Sequence, residues 1–175
     1  MPCWMSCVSP SATMPWTGFM NPSAVFAILA LLTACGQTSP PCSDKGPVTS
    51  APSAGCLVWG PRGALLVRGW SSGWALPGGS VADTESARCG AEREIFEETG
   101  MTATAGDLVK VFDNGFHLYW CDVSASAQPK IHRPLEVREV AWWQPEAVSA
   151  QAWRYPDQGA MIRDLVTARR LPATH

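Results

Sequence analysis

Residues 79–101 read GSVADTESARCGAEREIFEETGM, and their spacing predicts more about this protein than any other segment. Apolar side chains recur there every four residues, at Ala87, Ala91 and Ile95. This is the apolar stripe of a helix that packs on a sheet. Asp83 or Thr84 can cap the amide groups at the start of the helix, and Gly100 is a typical helix end.

Three glutamates share another side of this predicted helix. Glu94, Glu97 and Glu98 stand at helical spacings of three and four, so their carboxylates project within about 6 Å of each other. Hard oxygen ligands at that density suit Mg²⁺ or Mn²⁺, and a bound cation would relieve the repulsion between them. The chain has no Cys-x-x-Cys pair, which argues against a zinc site.

The same 23 residues resemble the Nudix box. Gly79 is followed after five residues by Glu85 and after seven more by Arg-Glu-Ile-Phe-Glu-Glu-Thr-Gly-Met, residues 93–101. Ile95 and Met101 occupy positions where the family has a bulky aliphatic side chain. The resemblance implies a hydrolase of phosphoric anhydrides (EC 3.6.1-type), in which water attacks phosphorus in the diphosphate linkage of a small nucleoside-diphosphate derivative.

The resemblance also implies roles for particular residues. It assigns metal binding to three glutamates and one backbone carbonyl, those of Glu94, Glu97, Glu98 and Gly79. Arg93 and Glu85 would hold the loop and the helix together, and Arg93 also stands four residues before Glu97, a spacing that allows an ion pair.

The group that takes the proton from water varies within the family, so two kinds of candidate stay open. One is Glu94 in the box, and the other is a loop glutamate beyond it. Glu136, six residues before Trp142, resembles that loop glutamate, although Glu139 competes for the role. Glu136 could equally be an ordinary exposed carboxylate at the start of a strand.

The flanking segments predict the rest of the domain. Residues 55–59 and 64–68 form a hairpin around Gly-Pro-Arg-Gly, and residues 108–112 and 116–123 flank an Asp-Asn-Gly turn. Residues 136–143 predict a further strand and residues 156–169 a final helix. A mixed sheet with one central and one C-terminal helix indicates an α/β/α sandwich, the fold that the Nudix resemblance also implies.

The substrate-binding side chains are less clearly marked. Arg68 ends a strand that leads to the Gly78-Gly79 loop, where its guanidinium could bind phosphate oxygens. Tyr119 lies near the place where dinucleoside polyphosphate hydrolases of the family carry a tyrosine, whereas the markers of the NADH and ADP-ribose subfamilies are absent. We expect at most one of five aromatic residues to stack on a base: Phe116, Tyr119, Trp120, Trp153 and Tyr155.

The N-terminal part differs from the rest in composition. Residues 1–44 contain a single charged side chain, Asp44, and an apolar run from Ala24 to Leu32 is too short to span a bilayer. The run ends in Leu-Thr-Ala-Cys, which resembles a bacterial lipobox and implies cleavage before Cys35 and lipid attachment to its sulfur. Signal peptides normally begin with a positively charged region, but no Lys or Arg precedes this run. If translation starts at Met20, only the α-amino group supplies a positive charge.

These patterns divide the chain into a signal-like leader at residues 1–34, a Ser- and Pro-rich tether at 35–53 and a catalytic domain at 54–175. They predict a lipoprotein on the periplasmic side of a bacterial membrane, with membrane contact through Cys35. The alternative is a cytoplasmic hydrolase that cleans the nucleotide pool and whose apparent N-terminus is too long. Residues 1 to about 45 would then be an extension without a signal function.

The remaining cysteines are consistent with export. Cys42 and Cys56 could bridge the tether to the first strand in an oxidising compartment. Cys89 and Cys121 could equally be buried free thiols that pack as small apolar side chains.

The charge distribution does not indicate a macromolecular partner. The net charge is −2 and both signs are scattered, so we expect no nucleic-acid surface. The sequence leaves the oligomeric state open. It also leaves open a catalytically inactive Nudix module that only binds nucleotides, although every carboxylate of the box is present.

Overall fold

The computed structural model of the protein describes residues 42–43, 51–148 and 151–170. Its strands in chain order are β1 (Ser53–Gly60), β2 (Gly63–Gly69), β3 (Trp74–Ala75), β4 (Gly78–Ser80), β5 (Ala103–Val111), β6 (Phe116–Val123) and β7 (Val137–Trp143). Its helices are α1 (Ala87–Thr99), α2 (Pro145–Val148) and α3 (Gln158–Arg170).

The strands form one mixed sheet in the order β3-β2-β1-β6-β5, with β4 on β1 and β7 on β2. β1 runs parallel to β6 and antiparallel to β2 and β4. The first part of β1 pairs with β4 and β6, and its last residues, Trp59 and Gly60, pair with β2. β1 therefore connects the two halves of the sheet and lies beside the strand that carries Gly79.

Alternating side chains cover the two faces of the sheet. On one face, Ala54 and Cys56 of β1 pack in a core with the apolar stripe of α1. On the other face, Leu57 packs with Ile162 and Val166 of α3. Because strand side chains alternate and each face carries one long helix, the α/β/α sandwich expected from the sequence is confirmed.

Helix α1 begins later than the sequence predicts. Ser86, rather than Asp83 or Thr84, is the N-cap, and its hydroxyl accepts a hydrogen bond from the Cys89 amide at 3.2 Å. Glu85 holds the preceding turn instead, because its carboxylate accepts from the Ala82 amide at 2.8 Å. The helix ends at Gly100 as predicted, with φ of 67° in the left-handed region that glycine adopts without strain.

The other predicted elements are present with shifted bounds. β6 has the predicted residues, whereas β5 begins at Ala103, five residues before the prediction. Its early residues are small alanines and threonines, yet they pair with residues 121–123 of β6. Local hydrophobicity was too weak to show this pairing, which depends on the neighbouring strand.

The cysteine pairing differs from the expectation. Cys56 pairs with Cys121, and Cys42 pairs with Cys89, with Cα atoms 5.5 and 5.3 Å apart, respectively. Cys56 and Cys121 lie on adjacent parallel strands with both side chains on the α1 side. The sequence left a bridge between Cys42 and Cys56 and free thiols at Cys89 and Cys121 as possibilities, and the structure has neither.

Cys42 and Ser43 belong to the segment that composition assigns to a tether, yet they contact α1. The Ser43 amide and hydroxyl both donate to the Glu92 carboxylate, the former at 2.8 Å. The signal-like leader and Cys35 lie outside the described residues. Within residues 42–43, 51–148 and 151–170, no helix combines the length and apolar character needed to cross a membrane.

Candidate active site

Arg93 joins the loop after β4 to helix α1. Its guanidinium donates to the Ser80 carbonyl at 2.6 Å and to the Glu85 carboxylate at 2.8 Å. It also donates to Glu94 and Glu97, both at 2.8 Å. Burial alone would raise the pKa of Glu85, but the hydrogen bonds from Arg93 hold that pKa below its usual value. One side chain thus fixes the strand, the loop and two candidate metal ligands.

Two of the helix carboxylates lie against the backbone of β4. Glu98 accepts a hydrogen bond from the Gly78 amide at 3.1 Å. A Cβ atom on Gly79 would lie 2.7 Å from a Glu94 carboxylate oxygen, so the Glu94 side chain would have to move. Glycine at position 79 thus lets the Glu94 carboxylate lie in its present place against the strand, which gives the box glycine a steric role.

The buried carboxylates repel one another. Burial raises the pKa of Glu94, although Arg93 opposes the shift. Burial, followed by the charge of Glu94, raises the pKa of Glu98 to about 8. Burial is therefore the main cause of both shifts, and the charge of a neighbouring carboxylate adds to it.

The loop before β7 completes this cluster. Arg133 contacts Glu97 at 2.5 Å and Glu136 at 3.3 Å. The Glu136 side chain is 63% exposed and lines the same cavity as Glu94 and Glu98. Glu139 instead forms an ion pair with Arg68 and does not line this cavity. Of the two loop candidates for the proton acceptor, the geometry favours Glu136.

Two adjoining cavities open over β4. The smaller, about 450 Å³, is lined by Glu94, Glu98, Glu136 and Arg133 among others. The larger, about 500 Å³, is lined mainly by apolar and aromatic side chains. Gly78, Gly79, Glu98 and Arg154 line both. The carboxylate cluster and an apolar chamber therefore share one wall.

A model of the NUDIX domain family matches residues 49–165, which is about two thirds of the chain. The chain belongs to the Nudix family. It is a hydrolase of phosphoric anhydrides, the enzyme class that residues 79–101 predicted. A MutT-like protein of Streptomyces ambofaciens is 28% identical over 119 residues, which cover 65% of this chain and 75% of that protein.

Solved structures share the Nudix fold. An ADP-ribose pyrophosphatase from Streptococcus suis superposes with a TM-score of 0.58 at 17% identity, covering 70% of this chain and 94% of that one. A MutT protein from Methanosarcina mazei has a TM-score of 0.55 at 23% identity, covering 74% and 100%, respectively. At these identities the likeness concerns the fold.

The carboxylates of the Nudix box are the kind of ligand that a hard divalent cation prefers, although their side chains do not converge on one point in this structure. Glu94, Glu97 and Glu98 supply oxygen ligands on adjacent turns. Burial raises the pKa of Glu98 because its ionised form lacks compensation, and a bound cation would favour that ionised form. In the described part of the chain, however, no three acidic, imidazole or thiol groups already converge on one point.

Two predicted substrate residues lie away from the Nudix cavities. Arg68 pairs with Glu139, and its guanidinium lies 5.3 Å from the centroid of the Trp74 ring. Tyr119 is 6% exposed and packs in the core beneath α1, near Arg88. Neither side chain lines either cavity. The structure therefore does not bring these two side chains to the carboxylate cluster, because strand position alone does not show which face a side chain occupies.

The structure adds cavity residues that the sequence did not mark. Arg133 and Arg154 carry no motif, and both come from loops that only the folded chain brings to β4. Of the five aromatic candidates, two line the larger cavity, Phe116 and Tyr155. The other three pack elsewhere. That at most one of the five stacks on a base stays a prediction.

Proposed function

We propose that this Nudix hydrolase uses Mg²⁺ or Mn²⁺ to cleave the diphosphate linkage of a nucleoside-diphosphate derivative. The observation that carries the proposal is the placement of Glu94 and Glu98 against the Gly78–Gly79 backbone, where both line the smaller of two joined cavities. Arg93 holds Glu97 beside Glu94. A single site thus offers ligands for a cation and room for an organic group. The three glutamates and the Gly79 carbonyl would hold the cation.

A divalent cation held there would supply an activated water and stabilise charge on the phosphoryl oxygens. Arg93 orients Glu94 and Glu97 and couples them to Ser80 and Glu85. Glu136 faces the same cavity from the opposite loop and is exposed, so it can accept the proton of the attacking water. Cleavage would release a nucleoside monophosphate and a second phosphorylated product.

The test is turnover by the purified full-length chain on nucleotide sugars, dinucleotides, dinucleoside polyphosphates and nucleoside triphosphates. Each substrate is incubated with Mg²⁺, Mn²⁺ or EDTA, and the products are identified by mass. Glu97→Gln and Glu98→Gln remove one charge from the metal site and should reduce kcat by about three orders of magnitude or more with the fold intact. Near-normal activity in both variants would refute the assignment.

We also propose that the enzyme is exported and lipid-anchored at Cys35. The pairings Cys42–Cys89 and Cys56–Cys121 support an oxidising compartment, since stable disulfides are rare in a reducing cytoplasm. The apolar run that ends in Leu-Thr-Ala-Cys supports the anchor. A cytoplasmic enzyme would keep the four thiols reduced.

Expression in a bacterium followed by membrane fractionation tests the anchor. Cys35→Ser should move the protein from the membrane to the soluble fraction, and Cys7→Ser serves as the control because it lies before the proposed cleavage site. Mass analysis should find a lipid-modified Cys35 as the first residue. A Cys35→Ser protein that stays in the membrane would contradict the proposal.

A further inference from the structure

Arg154 lies on the wall shared by the two cavities and differs from Arg133, the other arginine that lines them. Arg133 is paired with Glu97 and Glu136. The Arg154 guanidinium lies over the Tyr155 ring, 5.4 Å from its centroid, and has no ion pair with any carboxylate of residues 51–148 or 151–170. A guanidinium that has no carboxylate partner among these residues and lies at the edge of a cavity is suited to an anionic ligand.

The backbone of Arg154 is hydrogen-bonded to β3, the strand that precedes β4 in the chain. Its amide donates to the Trp74 carbonyl at 2.9 Å, and the Trp74 amide donates to the Ala152 carbonyl at 2.8 Å. Gly73 permits this approach, since a Cβ there would lie 2.3 Å from the Ala152 carbonyl oxygen. Arg154 therefore stands at a set distance from β3 rather than on a free loop.

The larger cavity has the walls of a site for a planar ring. Phe116 and Phe112 meet edge to face, with ring centroids 5.8 Å apart, and Tyr155 lines the same space. Gln158 also lines it, and its carboxamide oxygen is shielded from water with no hydrogen-bond partner in the described part of the chain. Such an oxygen is costly to leave unpaired, so a ligand N–H that reaches it would be bound well.

We infer that Arg154 binds the diphosphate of the substrate while the aromatic base enters the larger cavity, where Gln158 accepts a hydrogen bond from its polar edge. This orientation rests on the proposed function. It adds that the enzyme recognises the end of the substrate that carries the aromatic base. The reacting phosphate then lies over the carboxylate cluster, and the group on the far side of the linkage extends into the smaller cavity. With this geometry, we expect compounds that lack an aromatic base to bind weakly.

Equilibrium binding tests the orientation without requiring turnover. The full-length chain, with its disulfides intact, is titrated calorimetrically with ADP, GDP, CDP and UDP, and with adenosine and inorganic pyrophosphate as the two separate halves of ADP. Titrations are run with Mg²⁺ and repeated with EDTA. Nucleoside diphosphates should bind more tightly than either half, because one ligand engages both Arg154 and the aromatic chamber.

Arg154→Gln should weaken nucleoside diphosphates by about tenfold to a hundredfold, the usual effect of losing charge-assisted hydrogen bonds, and should leave adenosine unchanged. Arg163→Gln is the matched control, because Arg163 is exposed on α3 and lines neither cavity. Gln158→Met keeps the volume of the side chain and should reduce the preference among the four bases. Tyr155→Leu should weaken adenosine as well as ADP.

Equal affinity of wild type and Arg154→Gln for nucleoside diphosphates would overturn the inference. So would pyrophosphate binding as tight as that of the best nucleoside diphosphate, or no nucleotide binding by folded wild type. Failure of the proposed function would give a different result: nucleotides would still bind, but no metal-dependent cleavage would be observed. Circular dichroism of each variant separates a binding defect from loss of fold.

Discussion

The disulfide between Cys42 and Cys89 should contribute a large part of the stability of this Nudix domain. It links the segment before β1 to helix α1 across 47 residues of sequence. Loop-closure entropy for a loop of that length corresponds to about 4 kcal/mol in the free energy of unfolding. The perturbation is the double variant Cys42→Ser, Cys89→Ser, which removes the link without leaving an unpaired thiol.

The hydrogen bonds around the disulfide determine how the domain responds to its removal. Glu92 is 6% exposed and accepts from Ser43 and from the Ala105 amide, the latter at 2.8 Å. When the segment is no longer tethered, the Ser43 bonds compete with water, but the Ala105 bond remains within the domain. We therefore expect a lower urea concentration at the unfolding midpoint, with unfolding still cooperative. A loss of about 4 kcal/mol in a chain of this size should lower Tm by about 8–16 °C.

The assay is equilibrium unfolding in urea, followed by tryptophan fluorescence, together with thermal unfolding by circular dichroism. Ser43→Ala is the control, since it removes one side-chain hydrogen bond and keeps the disulfide; it should cost only about 1 kcal/mol. Peptide mapping without reduction should recover Cys42 linked to Cys89 and Cys56 linked to Cys121. A double variant within about 1 kcal/mol of wild type, or a recovered Cys42–Cys56 peptide, would refute the reasoning.

Three further predictions concern the active site. Glu136→Gln should reduce kcat by about 10²–10⁴-fold if it accepts the proton, whereas Glu139→Gln should change kcat by only a few fold; equal losses in steady-state assays would exclude the assignment. Arg93→Ala leaves partly buried carboxylates without their partner and should destabilise the fold by about 3 kcal/mol in urea unfolding, and no measurable loss would contradict its central position. Gly79→Ala places a Cβ 2.7 Å from a Glu94 oxygen and should weaken Mn²⁺ binding, measured by electron paramagnetic resonance, with little change in Tm. Normal Mn²⁺ affinity in that variant would show that the close approach is dispensable.

The helix and its chemistry were predictable because the relevant interactions are local. Residues three and four positions apart share a helix face whatever the rest of the chain does. The side-chain order in residues 79–101 therefore predicted the α1 stripe, the Arg93–Glu97 pair and the carboxylate cluster, all of which the structure contains. The turn sequences predicted the hairpins for the same reason, since two to four residues determine the turn.

Other features depended on contacts between distant segments. Hydrophobic pattern could not show that Tyr119 faces the α1 core, that Arg68 meets Glu139, or which cysteines pair. Strand register and sheet order determine these contacts, and a shift of one residue reverses the face of every side chain in a strand.

Short-range patterns were thus enough to predict the acidic helix and the elements of the sandwich, and the box within them resembled the Nudix family. The other walls of the active site depend on tertiary contacts. Arg133 and Arg154 reach β4 from loops more than 50 residues beyond it in the chain. No local sequence pattern predicts that these two loops lie next to β4. Their position depends on the pairing of β7 with β2 and on the contacts of residues 152–154 with β3.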